Sequence, residues 1–277
     1  MKKSEVCPVS QKLMNPVFTE TILGKYPVTY YYCEESGLLK TEKAYWLDEA
    51  YQSAIAETDT GLVQRNLSNS GCLEIFLQVM FKGEGKFLDV SGGYGLLARL
   101  MRDKGFDFYT TDKYCTNLFA SSFEPDIEFK ADALCSFEVL EHIEDPKTFL
   151  AEIFEKYKCK TLIFSTLTFS DNQIPPNSWW YYSFEGGQHI TFYQPRTLAL
   201  LAESLGLYYY MISSNMHIMT DIKLSSISKL ILSNYRVQRY YNRYLRRKRK
   251  GMSKTWEDHL LISDQIRKQL NSPSHDL

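Results

Sequence analysis

"FLDVSGGYGLLARLMRDKGFDFYTTD", residues 87–112, packs an apolar run, an acid, three glycines, an amphipathic segment, a second apolar run and a second acid into 26 residues. "KFLDV" reads as a strand, "GLLARLMRDKG" as a helix stopped by Gly105, and "FDFYTTD" as a second strand. Strand, glycine turn, helix and strand make a βαβ unit, whose strands run parallel and whose ligand side lies beyond their carboxyl ends. Gly92, Gly93 and Gly95 occupy the turn on that side. Lacking Cβ atoms, they let the backbone approach a ligand and take positive φ, while the start of the helix offers free N–H groups.

The alternation continues outward. "NLSNSGCLEIFLQVMF" has helical spacing, "KYCTNLFAS" reads as a short helix, and "DALCSFEVL" as a strand. "DPKTFLAEIFEKY" is a helix with Pro146 in its first turn, and "KTLIFSTL" is a strand. "TLALLAESLGL" is a helix closed by Gly206, and "YYYMISSNMHIMT" gives one or two strands that need not be parallel. The expected fold is α/β, a Rossmann-like, doubly wound and mostly parallel sheet. Three regions are expected along the chain. Residues 1–66 form a Tyr-rich, irregular module ending in a helix from Thr41 to about Glu57. Residues 67–220 form the core, and residues 221–277 a helical extension.

At 277 residues, with 44% apolar residues and a net charge of -1, the chain reads as a soluble globular protein. The charge is uneven. Arg236, Arg239, Arg243, Arg246, Arg247, Lys248, Arg249 and Lys250 lie together without an acid among them, so a basic C-terminal element sits on an acidic body. This run reads either as a solvated helix face or as a dock for an anionic partner such as a membrane surface, a glycolipid or a nucleotide-linked sugar; the apolar stripe "LSSISKLIL" before it favours a membrane or partner interface, and nucleic acid is not expected. The N-terminus has no apolar core of signal-peptide length, and no uninterrupted apolar run approaches about 18 residues. A cytoplasmic protein is expected, with any membrane contact peripheral and on the inner face. Six scattered cysteines argue for reduced thiols.

The glycine turn alone leaves the cofactor open. Gly93-Tyr94-Gly95-Leu96-Leu97-Ala98 fits the dinucleotide pattern G-x-G-x-x-A, and Asp112, 17 residues after Gly95, suits the hydroxyls of a ribose in either NAD or S-adenosylmethionine. Asp89 breaks the tie. A carboxylate just before the glycines repels a pyrophosphate, whereas the sulfonium and ammonium of S-adenosylmethionine reverse the sign.

At this point "FLDVSGGYGLLARLM", the acid of "TTD" and "SFEVLEHIEDP" resemble, in order, the nucleotide-binding motif, the ribose acid and the post-fourth-strand motif of class I S-adenosylmethionine-dependent methyltransferases. The nearest likeness is to the "EVLEH" subgroup that includes sugar and quinone-precursor methyltransferases. It covers about residues 70–215. The resemblance implies that Asp89, Gly92, Gly93 and Gly95 hold the methionine end of S-adenosylmethionine, that Asp112 binds the ribose, and that Lys113 lies beside the adenosine. It further places Phe137 and Glu138 on the methionine side. Ser91 stands where the usual pattern has its first glycine, and only 19 residues separate Asp112 from Asp132, which leaves little room for a third strand. Glu141 and His142 follow Glu138 at helical spacing and read as residues that order the site, with His142 a secondary catalytic candidate.

On the acceptor side, Trp179, Trp180, Tyr181, Tyr182 and Tyr193 gather around Gly186-Gly187. Flat apolar rings with polar tips suit a saccharide or another small hydroxylated acceptor, or equally a lid packed by its own aromatics. "GQHITFYQPRTL" is similar to the segment of these methyltransferases whose His borders the cleft, and imidazole is suited to accept a proton near neutral pH. His189 is therefore the expected general base. At the N-terminus Cys7-Pro-Val-Ser10 and Cys33-Glu-Glu-Ser36 resemble a zinc ribbon that has lost one cysteine of each pair. Two thiolates are too few for a closed tetrahedral site, so no metal is expected.

Overall fold

A computed structural model describes residues 5–51, 59–170, 173–248 and 252–271. The contacts divide the chain into two units that interleave in sequence, one of residues 1–60, 113–115 and 128–225, the other of residues 61–112, 116–127 and 226–277.

The N-terminal region is a β-sheet rather than an irregular module. Strands β1 (Glu5–Val6), β2 (Leu13–Ile22), β3 (Tyr26–Tyr32) and β4 (Leu39–Thr41) lie side by side, and β9 (Thr191–Phe192) completes the order β1-β2-β3-β4-β9, all antiparallel. "YPVTYYY" is rich in the β-branched and aromatic residues that fit a pleated surface. Pro16 has no N–H for the ladder, and the β2/β3 register shifts between Pro16 and Phe18. Leu23 and Gly24, at φ 53° and 69°, turn the chain back.

The helix expected from Thr41 is absent there. Thr41 ends β4 with its N–H on the carbonyl of Ile190 (2.9 Å), and only α1 (Leu47–Ala50) follows. Residues 52–58, where that helix was expected to continue, lie outside the described residues. Tyr30, Trp46, Tyr181, Tyr182 and Phe192 share one buried cluster with Ile22, Val28 and Leu39. The Cys/Ser pairs converge as well: Cys7 Sγ lies 3.2 Å from Ser36 Oγ and Cys33 Sγ 3.2 Å from Ser10 Oγ.

The same unit contains a βαβ segment. β7 (Ala133–Phe137) and β8 (Thr161–Ser165) pair in parallel, joined through α4 (Pro146–Lys156). Asp145 caps α4 by accepting from the N–H of Thr148 (3.1 Å), and Pro146 fills the first turn, where a missing N–H costs nothing. α5 (Pro195–Ser204) starts on a capping box between Gln194 and Thr197. β10 (Tyr208–Ser213) and β11 (Met216–Thr220) form a hairpin whose second strand lies antiparallel on β8, giving the order β10-β11-β8-β7.

The second unit holds the opening stretch. α2 (Leu62–Phe81) precedes β5 (Lys86–Val90), α3 (Leu96–Asp103) and β6 (Asp107–Thr111), with β5 and β6 parallel in the register Phe87↔Phe108 and Asp89↔Thr110. Leu97, Ala98 and Met101 form the buried face of α3. The short helix expected in "KYCTNLFAS" does not form. Asn117 instead bonds both polar groups of Ala120, accepting from its N–H (3.0 Å) and donating to its carbonyl (2.7 Å). Such local bonds from an Asn side chain compete with helix. Three helices close the unit: α6 (Ser226–Ser233), α7 (Tyr235–Lys248) and α8 (Thr255–Asn271). Among the described residues no helix is long and apolar enough to cross a membrane.

Candidate active site

In the second unit, the turn after β5 brings Asp89, Gly92, Gly93, Gly95 and Asp112 together. Asp89 is buried, and burial, followed by the charge of Asp112, pushes its carboxyl up to about 8. It is therefore largely protonated near pH 7. The N–H of Gly93 donates to Asp112 Oδ2 (2.9 Å), and the N–H of Gly92 to the carbonyl of Thr111 (3.1 Å). A Cβ on Gly92 would stand 2.3 Å from Thr110 Oγ1 and 2.5 Å from Asp89 Oδ2. Only glycine lets the chain pass this close to the acid. Gly93 takes φ 58° beside open space, which leaves its backbone accessible to a ligand.

Ser91 adopts φ 61°, the left-handed conformation that the glycine of the usual pattern takes freely. Relief of that strain exceeds the extra chain entropy a glycine brings. Ser91→Gly should raise stability by a few tenths to about 1 kcal/mol in thermal unfolding; a loss of stability would show that the serine side chain holds the turn.

In the other unit, Phe137 ends β7 and Glu138 follows at φ 55°. The N–H of Glu138 donates to Ser165 Oγ (2.9 Å), and that hydroxyl donates back to Glu138 Oε1 (2.5 Å). The pair holds the left-handed backbone at the strand end, a kind of strain that gathers at functional sites. Lys113 belongs to this unit too, its ammonium 5.2 Å from the ring centre of Tyr114.

The next turn, Leu140–His142, carries two more polar side chains. Glu141 is fully buried; its Oε1 accepts from the hydroxyl of Tyr181 (2.7 Å), and its Oε2 has no partner among the described residues. His142 Nδ1 sits 2.9 Å from the carbonyl of Gln188 and His189 Nδ1 2.7 Å from that of Tyr181. A carbonyl only accepts, so each Nδ1 carries a proton, and the neutral form of either ring would keep its lone pair on Nε2. The two rings stand 4.9 Å apart, nearly perpendicular. Burial, then the charge of His189, lowers the pKa of His142 to about 4. Ligand atoms of Glu141, His142 and His189 lie within 4.8 Å of one another, so these three groups could hold a divalent cation.

Sequence spacing links Glu141 to His142 but gives no sign that His189, 47 positions on, joins them. The backbone makes the link: the N–H of Ile190 donates to the carbonyl of Glu141 (2.8 Å).

The aromatic segment is divided. Tyr181, Tyr182 and Tyr193 are buried, with their hydroxyls on Glu141, the carbonyl of Pro175 (2.9 Å) and the carbonyl of Leu140 (2.7 Å). Tyr181 also accepts from the N–H of Leu167 (3.0 Å). Trp179 packs against Tyr181 and Tyr182, whereas Trp180 is 74% exposed.

A family model described as a methyltransferase domain matches residues 64–211, just over half of the chain. No curated protein matches the sequence. Among solved structures, the chain is similar to the magnesium protoporphyrin IX methyltransferase from Synechocystis PCC 6803 with bound SAH, at 12% identity and TM-score 0.40, over 64% of this chain and 94% of that one. It is also similar to human N-acetylserotonin methyltransferase in complex with SAM, at 15% identity and TM-score 0.41, over 64% and 66% of the two chains. The plantazolicin methyltransferase in complex with SAH aligns at 13% identity and TM-score 0.43, over 70% and 89%.

Proposed function

The chain belongs to the methyltransferase-domain family, and from that premise we propose that it transfers the methyl group of S-adenosylmethionine to a hydroxyl of a saccharide or another small hydroxylated metabolite. The observation that carries the hydroxyl acceptor is the pair of histidines whose Nδ1 protons are tied to backbone carbonyls. A hydroxyl must lose its proton as it takes the methyl, and a neutral imidazole with a free Nε2 can receive it. S-adenosylmethionine supplies an electrophilic methyl on a positively charged sulfur. His189 would receive the proton that the acceptor hydroxyl gives up on methylation, through Nε2, while its Nδ1 stays on the carbonyl of Tyr181.

The glycine turn fits such a cofactor. Asp112 takes the ribose hydroxyls, and Gly93 leaves room for the ligand against its backbone. The family resemblance assigns Lys113 to the adenosine, and Phe137 and Glu138 to the methionine end. Trp179 and exposed Trp180 offer flat faces to the acceptor. Tyr181, Tyr182 and Tyr193, with their hydroxyls bonded inside the protein, shape the acceptor side from behind.

Asp112→Ala removes hydrogen bonds to a ligand from a charged group, each of about 1.5–3 kcal/mol. Calorimetry should show S-adenosylmethionine binding weakened by roughly 10–100-fold, and an unchanged affinity would refute the ribose role. The same titrations at pH 7 should show proton release, because a cation next to Asp89 returns its protonated carboxyl to the charged form.

The unpartnered Oε2 of Glu141 favours a second reading, in which a divalent cation at Glu141, His142 and His189 polarises the acceptor hydroxyl. Chelation separates the two. A proton-accepting His189 predicts turnover that is indifferent to EDTA, and a bound cation predicts loss on chelation with recovery when zinc or manganese is restored.

A further inference from the structure

Between Asp221 and Glu257 the sequence holds eleven lysines and arginines and no acid. Most of this stretch is α6 and α7. Leu245 of α7 is buried, and Val237, Gln238, Tyr241 and Asn242 are half-buried on the same side, with the Gln238 amide donating to the carbonyl of Leu232. Arg236, Arg239, Arg243 and Arg247 are exposed, and no carboxylate pairs with them among the described residues. At about 100° per residue these four arginines fall within an arc of about 80° along a ridge about 16 Å long. Tyr240 and Tyr244, 73% and 57% exposed, lie on the flank of that arc.

Arginines this close repel one another, and among the described residues no carboxylate relieves them. An anionic partner would. Exposed Ile227 and Leu230 on α6 and exposed Trp256 at the start of α8 decide which one. A phosphate backbone gripped by arginines offers aliphatic side chains no apolar surface, whereas beneath lipid phosphates they bury at the boundary of acyl chains. Tyrosine and tryptophan settle at headgroup level, with ring inward and polar tip outward.

We propose that α7 is a docking face for an anionic phospholipid surface, with Arg236, Arg239, Arg243 and Arg247 on lipid phosphates and Tyr240 and Tyr244 among the headgroups. Arg246 and Lys248–Lys250 add charge in the sequence, but the side chains of Arg246 and Lys248 and the whole of 249–251 lie outside the described residues and carry no part of the proposal.

Cosedimentation of the full chain with phosphatidylcholine vesicles, with and without phosphatidylglycerol, tests it at low and high salt. Binding is expected only with phosphatidylglycerol and only at low salt. The variant Arg236→Gln/Arg239→Gln/Arg243→Gln/Arg247→Gln should lose roughly 10²–10³-fold in partition, at about 1 kcal/mol per arginine. Tyr240→Ser/Tyr244→Ser should weaken vesicle binding while leaving binding to inorganic polyphosphate unchanged, which separates a lipid surface from free phosphate. Equal partition into neutral vesicles, no binding to anionic ones, or binding to single-stranded RNA but not to vesicles would each overturn the proposal.

Discussion

Replacing His189 with Ala should lower turnover at saturating S-adenosylmethionine by about 10²–10⁴-fold, the usual contribution of a positioned proton acceptor, with little change in the Kd of the cofactor. The residues assigned to the cofactor are others, so binding and chemistry should separate. The ring is well fixed. Its Nδ1 holds the carbonyl of Tyr181 at 2.7 Å, and Tyr181 in turn donates to Glu141. The ring of Tyr181 lies 4.7 Å from that of His189, and His142 stands on it edge-on at 4.9 Å. Truncation removes the proton acceptor without touching the glycine turn. Steady-state kinetics with isothermal titration on the same preparation would read both quantities. Turnover equal to wild type would remove His189 from the mechanism.

Asp258→Ala should destabilise the second unit by about 3–5 kcal/mol, because it strands a buried guanidinium. Arg102, on α3, is 3% exposed and donates from Nε and Nη2 to the two oxygens of Asp258 on α8, at 2.8 and 2.6 Å. Its Nη1 reaches Asp107 (3.0 Å) and the carbonyl of Phe108 (3.1 Å), and its plane covers the ring of Phe123 at 3.5 Å. Arg99 adds a second cation 3.0 Å from Asp258. Burial raises the carboxyl of Asp258, but the bonds and charges of Arg102 and Arg99 outweigh it and hold the carboxyl below its ordinary range. The pair therefore contributes fully above pH about 4 and fades as the solution is acidified. Thermal unfolding at neutral pH should show a Tm lower by roughly 6–20 °C. A shift within about 2 °C would mean that α8 contributes little to the folding of the unit.

The elements whose code is local were legible in the sequence. "KFLDV", the glycine turn, "GLLARLMRDKG" and "FDFYTTD" fold as read, because apolar period and glycine punctuation act within a few residues. α4, with Asp145 and Pro146, and α5, with Gln194 and Pro195, announce their own starts. The N-terminal sheet was not legible: Pro16, Pro27 and a run of tyrosines look like turns until antiparallel pairing uses them. The helix read in "KYCTNLFAS" fails for the opposite reason, a single Asn side chain that serves the backbone better than a helical turn does.

The candidate site divides in the same way. Asp89, Gly93 and Asp112 lie within 24 residues of one another and announce a nucleotide turn. Glu141 was readable only as a residue that orders the site, since its burial, its bond to Tyr181 and its approach to His189 are all products of tertiary folding. Asp258 carried no signal at all, as its partner stands 156 positions upstream.

The reaction assigned to this chain is methyl transfer. The most direct measurement incubates the purified chain with S-adenosylmethionine labelled in its methyl group and a panel of nucleotide-sugars, glycans and small phenols, and follows the label into product. Label recovered on an acceptor oxygen, and lost in both Asp112→Ala and His189→Ala, is the predicted result. Cofactor binding with no label transferred to any acceptor of the panel would contradict it.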